Sequence, residues 1–358
     1  MFSTCSPGTQ AIAIRAAPRS GSSRALWPAC VSNTRPHLND NKFGRHNAIC
    51  ASASTGKIEM TTSPQPLVKG FHDDKTGSIQ YVVACPNTKK AAIIDPVWDF
   101  DEKAARTCTV NADELLQYVK DNSLDVEWIL DTHPHADHFS AAPYLKDKLG
   151  APTAIGEHVV KVQKLWKTIY NLGDDFPADG SQWDRLFADG DTFKIGDLEA
   201  KVMFSPGHTL ASITYVIGDA AFVHDTLMMP DSGTSRADFP GGSAKDLYRS
   251  LERILALPDD TRIYVGHDYG RGGRKPRWES TVREERETNI HLRGNVSEAE
   301  YVRIRESRDD ELELPHLMLY ALQVNIRGGR LPDAEDNEVS YLRIPMNQFA
   351  GPSKVCPM

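Results

Sequence analysis

The 358-residue sequence predicts an α/β protein in which helices cover the outside of a β-sandwich. Strand-like segments rich in β-branched residues alternate with amphipathic helical segments over most of the chain. A β-rich block at residues 191–225 holds three or four strands joined by IGD and GDA turns. Polar loops with histidines follow several apolar strands, and α/β folds place their sites at such strand ends.

The first elements form a hairpin, a helix and a strand. IQYVVACP (79–86) and AAIIDPV (91–97), separated by NTKK, predict a β-hairpin because both are rich in β-branched residues. Residues 111–122 predict a helix with Asn111 as N-cap. Residues 125–133 predict a strand that leads directly into a histidine-rich loop.

The next elements alternate in the same way. Residues 139–149 predict a helix that ends at Gly150, and residues 152–170 predict a strand followed by a helix. Residues 171–190 are predicted to be a loop. We expect three aromatic side chains of this loop to pack in the core rather than to cover a cleft: Phe176, Trp183 and Phe187.

The remaining elements are mostly helical. Residues 243–256 predict a helix, 262–265 a strand, and 279–291 and 297–310 two further helices. Together with the earlier elements they define a domain over residues 76–310. Residues 311–358 are apolar enough to be a C-terminal extension that packs on this domain.

The first 51 residues differ from the rest of the chain. They carry six basic residues and one acid, Asp40, with many Ser, Ala and Thr residues. This composition predicts an organelle transit peptide, with a disordered tail as the alternative. AICASAS (48–54) resembles a stromal-processing site, which favours the plastid stroma over the mitochondrial matrix. Residues 52–75 are predicted to be a linker.

Beyond the leader, 35 Lys and Arg residues stand against 48 Asp and Glu residues. This acidic balance excludes a general attraction to nucleic acid or to an anionic membrane, and the apolar runs are too short for a membrane-spanning helix. Cys85, Cys108 and Cys356 form neither a disulfide framework nor a thiolate zinc site, which suits a reducing compartment. The oligomeric state stays open, a homodimer included.

The segment DTHPHADH (131–138) predicts a metal site. It contains three histidines and two aspartates, and positions i, i+2 and i+4 of an extended loop point the same way. A solvated polar loop would rarely need so many ligand side chains together. Three more candidates follow apolar strands farther along the chain: His208 in SPGH, Asp225 in HD and His267 in GHD.

THPHADH, SPGH, HD and GHD, in this order, resemble the metallo-β-lactamase superfamily. The resemblance implies a four-layer αββα sandwich, the metallo-β-lactamase fold, with metal between its two sheets. Four longer segments, three of which overlap these motifs, resemble the persulfide (sulfur) dioxygenases, and among them the bacterial β-lactamase-like hydrolase branch: THPHADHFSAAPYL, DTLMMPDSGTSRADFPGGSAKDLYRSL, HDYGRGGR and WESTVREERETNIH. The resemblance covers about residues 65–350.

That family implies one Fe(II) per chain, held by His133, His208 and Asp225. Two imidazoles and a carboxylate leave open positions on Fe(II) for a persulfide sulfur and O₂. The expected partners are therefore a small thiol or persulfide, with glutathione as carrier, and O₂. His135, Asp137, His138 and His267 would orient ligands and water through hydrogen bonds.

The same residues also fit a binuclear hydrolase, in which Zn(II) occupies a one- or two-metal site. In this alternative His133, His135 and His208 hold one metal, Asp137, His138 and His267 hold a second, and Asp225 bridges them. Such a site would cleave glutathione thioesters with a metal-bound hydroxide, as glyoxalase II does. A third alternative is a metal-binding protein without turnover.

Arg236, in GTSRADF, is the candidate for holding an anionic substrate, and a salt bridge to Asp238 is the competing interpretation. Arg271, Arg274 and Lys275 form a basic cluster, for which a solvated loop is the expected role. Two positions depart from the family pattern. Ala237 stands where related bacterial sequences often have Cys, and His224 stands where Gly is usual, its ring expected to point away from Asp225.

Overall fold

The structure, a computed structural model, describes residues 64–349. The predicted transit peptide, the linker up to residue 63 and the residues after 349 lie outside this range. Leu67–His72 form the first strand, so the fold begins inside the segment predicted as a linker. Among the described residues, no helix is long and apolar enough to cross a membrane.

The first sheet has six strands. In spatial order they are β1 (Leu67–His72), β2 (Ile79–Ala84), β3 (Lys90–Ile94), β6 (Asp125–Leu130), β8 (Thr153–Gly156) and β9 (Arg185–Phe187). The hairpin predicted from β-branched residues is confirmed as the antiparallel pair β2 and β3. The strands from β3 to β9 run parallel, which places the ends of β6 and β8 at one edge. The short strand β9 lies inside the segment predicted as a loop.

The second sheet also has six strands. In spatial order they are β10 (Thr192–Ile195), β11 (Leu198–Phe204), β12 (Ile213–Ile217), β13 (Ala220–His224), β14 (Arg262–Val265) and β15 (Glu279–Thr281). The four strands of the β-rich block are antiparallel, and β13 and β14 are parallel. A smaller sheet joins β5 (Arg106–Cys108), β4 (Val97–Asp101) and β7 (Phe139–Ser140).

Three helices begin and end within one residue of their predicted bounds, at 110–121, 244–255 and 298–309, whereas no helix was predicted over residues 318–325. The helices are α1 (Val110–Asp121), α2 (Ala142–Leu149), α3 (Val159–Ile169), α4 (Ala244–Leu255), α5 (Val282–Thr288), α6 (Glu298–Asp309) and α7 (Met318–Asn325). The N-cap predicted at Asn111 is wrong. Thr109 holds that position, and the Asn111 side chain instead donates to Asp99 Oδ1 at 2.8 Å.

Apolar side chains of the two large sheets pack face to face, with Tyr81, Phe187 and Phe222 fully buried between them. α1 and α2 cover the outer face of the first sheet, and α4 and α6 cover that of the second. Met318 and Leu322 of α7 pack in one cluster with α3. The layers therefore form the αββα sandwich that the sequence predicted.

Candidate metal centre

The histidine-rich loop is anchored at both ends by buried hydrogen bonds. It follows β6, and Asp131 accepts hydrogen bonds from Ser140 Oγ at 2.9 Å and Trp183 Nε1 at 3.0 Å. Burial and the nearby Asp95 raise the pKa of Asp131 to about 6. Farther along the loop, Asn325 Nδ2 at the end of α7 donates to the carbonyls of His135 and His138. The loop is therefore held on a rigid base.

His133, His208 and Asp225 meet at one point in the structure. Asp225 Oδ2 lies 3.6 Å from His133 Nε2 and 3.8 Å from His208 Nε2. These separations are too long for hydrogen bonds, and His133 Nε2 is buried without a partner among residues 64–349. Donor atoms that converge without bonding one another fit a metal ion between them. The three residues expected to hold iron are thus brought together.

Hydrogen bonds orient two of these residues toward that point. His208 Nδ1 donates to the carbonyl of Arg236 at 2.9 Å, which leaves Nε2 free for a metal. Asp225 Oδ1 accepts from His267 Nδ1 at 2.6 Å, so Oδ2 is the oxygen that faces the two histidines.

The protonation states suit metal binding. Burial and the neighbouring His135 hold the pKa of His133 well below its ordinary value, and burial also lowers the pKa of His208. Burial acts to raise the pKa of Asp225, but His267 and His224 outweigh it and keep this pKa well below 3.8. Neutral imidazoles and an ionised carboxylate are the forms that bind a metal.

The Ser78 hydroxyl is surrounded by the three candidates for a second metal, Asp137, His138 and His267. Ser78 Oγ lies 2.6 Å from Asp137 Oδ2, 2.9 Å from His267 Nε2 and 3.2 Å from His138 Nδ1. Asp137 Oδ2 also accepts from His138 Nδ1 and His267 Nε2, each at 2.8 Å. The residues that would hold a second metal therefore bond to one another and to Ser78, although His138 Nε2 is buried without a partner in the described part of the chain.

His135 lies between these two groups. Its Nε2 donates to Asp95 Oδ1 at 2.9 Å, and its Nδ1 is buried with no partner among the residues that the structure describes. Each of His133, His135, His224 and Asp225 offers a ligand atom, and these atoms lie within 4.8 Å of one another. Nδ1 of His135 is thus available to the same metal position, as the binuclear alternative requires.

The expectation that His224 points away from Asp225 is wrong. His224 Nδ1 lies 3.4 Å from Asp225 Oδ1, and Nε2 lies 3.1 Å from Asp95 Oδ2. The strand alternation fails because His224 has a φ of 41° and the register of β13 against β14 shifts there. The ring therefore enters the centre and lies 5.2 Å from that of His133.

Arg236 forms the salt bridge that was its competing interpretation. Nε and Nη2 each donate to Asp238 at 2.7 Å, and Nη1 donates to the carbonyl of Glu313. A substrate carboxylate that reached Arg236 would have to compete with Asp238. The Ala237 side chain packs in the apolar cluster under α4 and α6, so it faces away from the candidate metal ligands.

Arg271 and Arg274 of the basic cluster have different hydrogen-bond partners. Arg274 is held by Asp231 and Asp268, whereas Arg271 donates only to the carbonyl of Asp231 among the described residues. Phe176, Trp183 and Phe187 are buried in the core, as expected.

Two cavities open at the centre. One, of about 770 Å³, is lined by residues that include Asp137, His208, Asp225, Arg236 and His267. The other, of about 720 Å³, shares Asp137, Tyr269 and Pro315 with the first. A substrate can therefore approach the candidate metal ligands directly from solvent.

The sequence reasoning missed Ser78, Asp95 and Asn325. Asp95 could have been found from the sequence, because it directly follows the buried strand β3. The candidate metal ligands also follow buried strands. Ser78 precedes a strand and Asn325 ends a distant helix, and neither carries a local signal of a site.

A four-layer αββα sandwich with clustered His and Asp residues at its strand ends defines a class of metal-dependent enzymes. The family model of the metallo-beta-lactamase superfamily matches residues 75–267, and this chain belongs to that superfamily.

Several relatives have names that bear on its chemistry. The chain is 60% identical over 309 residues to a beta-lactamase hydrolase-like protein of Agrobacterium fabrum, covering 86% of this chain and 71% of that one. It is 46% identical to glyoxylase B2 of Dictyostelium discoideum, covering 80% and 98%. It is 29% identical to the mitochondrial persulfide dioxygenase ETHE1 of Bos taurus, covering 74% and 89%.

Among solved structures, ETHE1 from Myxococcus xanthus matches with a TM-score of 0.59 and 29% identity. The match covers 74% of this chain and 100% of that one. Superfamily members include both hydrolases and dioxygenases. Membership therefore indicates a metal-binding enzyme fold that both reaction classes share.

Proposed function

We propose that this protein is a non-haem iron dioxygenase that oxidises the sulfane sulfur of glutathione persulfide to sulfite. In the balanced reaction, glutathione persulfide, O₂ and water give glutathione and sulfurous acid. The sulfane sulfur loses four electrons, which O₂ accepts, and the S–S bond breaks so that the thiol leaves with a proton.

The observation that carries this proposal is the position of Ser78. Its hydroxyl lies within 3.2 Å of Asp137, His138 and His267, which are the residues a second metal would need. Among residues 64–349, His133 Nε2 has no hydrogen-bond partner, and Asp225 Oδ2 lies 3.6 Å from it. This arrangement favours a centre with one metal held by two histidines and one aspartate.

His133, His208 and Asp225 would hold Fe(II), which would supply binding positions for a persulfide and O₂. Neighbouring residues orient two of the side chains that would hold the metal. Arg236 fixes His208 through its carbonyl, and His267 holds one oxygen of Asp225 so that the other stays free. Asp137 lines both cavities at the centre, where its carboxylate can orient water.

A binuclear hydrolase of glutathione thioesters is the second candidate. The 46% identity to glyoxylase B2 and the free Nδ1 of His135 favour it. A second metal would, however, have to displace the Ser78 hydroxyl and break the contact between Asp137 and His267.

The test is metal content of anaerobically purified protein, together with O₂ uptake on glutathione persulfide. We expect one iron per chain, O₂ uptake and sulfite. Two zinc ions, no O₂ uptake and hydrolysis of S-lactoylglutathione would overturn the proposal. His133→Ala, His208→Ala and Asp225→Ala should lose the iron, whereas His267→Ala should retain most of it.

A further inference from the structure

Three features of the backbone place the ring of His224 inside the metal centre. The φ of 41° lies in the left-handed region, where a residue with a side chain is strained. The register of β13 against β14 shifts between Phe222 and His224. A Cβ on Gly266 would overlap Nδ1 and Cε1 of His224, so the ring fits there because position 266 is a glycine. Backbone strain of this kind is concentrated at functional sites, so this ring calls for a functional explanation.

Both ring nitrogens of His224 are buried without a hydrogen-bond partner among residues 64–349. The residue is only 3% exposed, so water does not replace the missing partners. Nε2 lies 3.1 Å from Asp95 Oδ2 and Nδ1 lies 3.4 Å from Asp225 Oδ1, but neither contact has the geometry of a hydrogen bond. Leaving buried polar atoms unpaired is costly, and an ion bound beside them is one explanation.

The same space contains other nitrogens in this condition. In the described part of the chain, Nε2 of His133 and Nδ1 of His135 are also buried without a partner. The ring centroid of His224 lies 4.6 Å from that of His135 and 5.2 Å from that of His133. Ligand atoms within 4.8 Å of one another come from four residues: His133, His135, His224 and Asp225. Imidazole nitrogens suit Fe(II) and Zn(II) alike, so a metal ion among these atoms would give each of them a partner.

We propose that His224 is a further ligand of the metal, which it binds through one ring nitrogen beside His133 and Asp225. The proposal rests on the metal that the proposed function requires, and it holds for the dioxygenase and for the hydrolase. The additional imidazole occupies a position that His133, His208 and Asp225 alone would leave open, so fewer positions remain for substrate.

A bridge between two carboxylates is the competing role for His224. In that role the ring donates to Asp95 and Asp225 and does not touch the metal. Burial acts to lower the pKa of His224, but the two carboxylates outweigh it and raise this pKa above its ordinary value. The ring therefore has to release a proton when it binds a metal. The two roles differ in whether the imidazole itself is bonded to the ion, which spectroscopy can detect directly.

Proton NMR of the Co(II)-loaded protein tests the proposal. Each imidazole bonded to Co(II) that keeps a proton on its other nitrogen gives a solvent-exchangeable signal with a large hyperfine shift. We expect His224→Gly to lose one such signal and to bind Co(II) more weakly by at least roughly tenfold. Glycine adopts a positive φ without strain, so this substitution suits the backbone. His158→Gln, at the start of α3, is the matched control and should change neither the signals nor the affinity.

Two further measurements separate ligation from a carboxylate bridge. Free imidazole added to His224→Gly should restore the missing signal, and ¹⁵N-labelled imidazole identifies it. His224→Gln fills part of the same space and can donate to Asp95, but it supplies no imidazole, so its Co(II) affinity should stay low. An unchanged number of shifted signals in His224→Gly would overturn the proposal. Co(II) affinity of His224→Gln within about twofold of the unaltered value would also overturn it, in favour of the bridge.

These measurements do not depend on turnover. Absence of O₂ uptake in an unaltered protein that shows the His224 signal would contradict the proposed function and leave the ligand in place. Normal O₂ uptake by the unaltered protein, with the same shifted signals in His224→Gly, would contradict only the ligand role of His224.

Discussion

His224 illustrates how a single backbone angle changes a site. Its φ of 41° is in the left-handed region, which costs a non-glycine residue about 1–2 kcal/mol. That angle turns the ring into the centre, between the carboxylates of Asp95 and Asp225. The buried Asp95 also accepts from Thr132 N–H and Thr132 Oγ1, so these contacts connect the loop after β3 to the metal ligands.

Ser78→Ala should open the second metal position. Without the hydroxyl, Asp137, His138 and His267 lose a shared hydrogen-bond partner and gain space, so zinc loading should rise from one toward two ions per chain. Metal counting after zinc loading and dialysis measures this. Ser232→Ala, which changes another serine of the cavity, is the control and should leave the count at one. Two zinc ions in the unaltered protein, or one in Ser78→Ala, would contradict this role of Ser78.

At the scale of elements, α6 helps to position His208, a candidate metal ligand, through the segment between them. Arg305 and Asp309 form a buried ion pair on this helix at 2.7 Å. Arg305 Nη1 donates to the carbonyl of Thr234, and Asp309 Oδ2 accepts from Ala237 N–H. Both contacts hold the segment whose Arg236 carbonyl accepts from His208.

Asp309→Asn should therefore weaken both the fold and metal binding. Breaking a buried ion pair costs about 3–5 kcal/mol, which urea unfolding of the metal-free protein measures. Co(II) affinity, followed by absorption, should fall by roughly tenfold. Asp310→Asn, at the exposed neighbouring position, should change neither quantity. A stability loss with unchanged Co(II) affinity would limit the pair to a structural role.

On α5, Glu285 should make stability depend on pH. It is buried, it accepts from Ser280 Oγ and Asn289 Nδ2, and burial raises its pKa to about 7. The folded protein therefore binds a proton more tightly than the unfolded chain does, and stability should decrease as pH rises from about 5 to 8. The size of this decrease is about 3 kcal/mol.

Glu285→Gln should remove this decrease, because Gln stays neutral and can donate to Ser280. The free energy of unfolding of the two proteins, measured in urea at pH 5 and pH 8, should differ only at pH 8, where the variant is the more stable. Glu287→Gln, at an exposed position of the same helix, should behave as the unaltered protein. Equal pH profiles for Glu285→Gln and the unaltered protein would show that Glu285 is ionised in the folded state.

For the whole molecule, the metal centre lies where the two sheets meet. Ile79 N–H at the start of β2 donates to the carbonyl of Gly266 after β14, and Tyr81 Oη donates to the carbonyl of Val265. Ligands from both sheets thus converge, so a bound metal joins elements that unfolding would separate.

Metal removal should consequently lower the melting temperature. A metal present at 1,000 times its Kd stabilises the fold by about 4 kcal/mol, which corresponds to roughly 5–10 °C for a domain of this size. Thermal unfolding with Fe(II), and again after chelation, measures the difference under anaerobic conditions. His133→Ala should unfold at the same temperature with and without metal. A metal-dependent shift that persists in this variant would place the stabilising site elsewhere.

The sequence by itself determined most elements and predicted the candidate metal ligands that the structure brings together. Hydrophobic periodicity is local, so α3, α4, α6 and the strands of the β-rich block lie close to their predicted ranges. It failed where a short strand precedes a helix, as at Phe139–Ser140 and Glu279–Thr281, because two or three residues do not establish a period.

Only the tertiary structure decided which of those side chains lie together and which neighbours each one contacts. His133 and Asp225 are 92 positions apart, and the distance between them depends on how two sheets pack. Ser78 among the second set of ligands and His224 turned inward both result from contacts between distant segments. No local pattern encodes such contacts, because they arise from packing between segments that are far apart in the sequence.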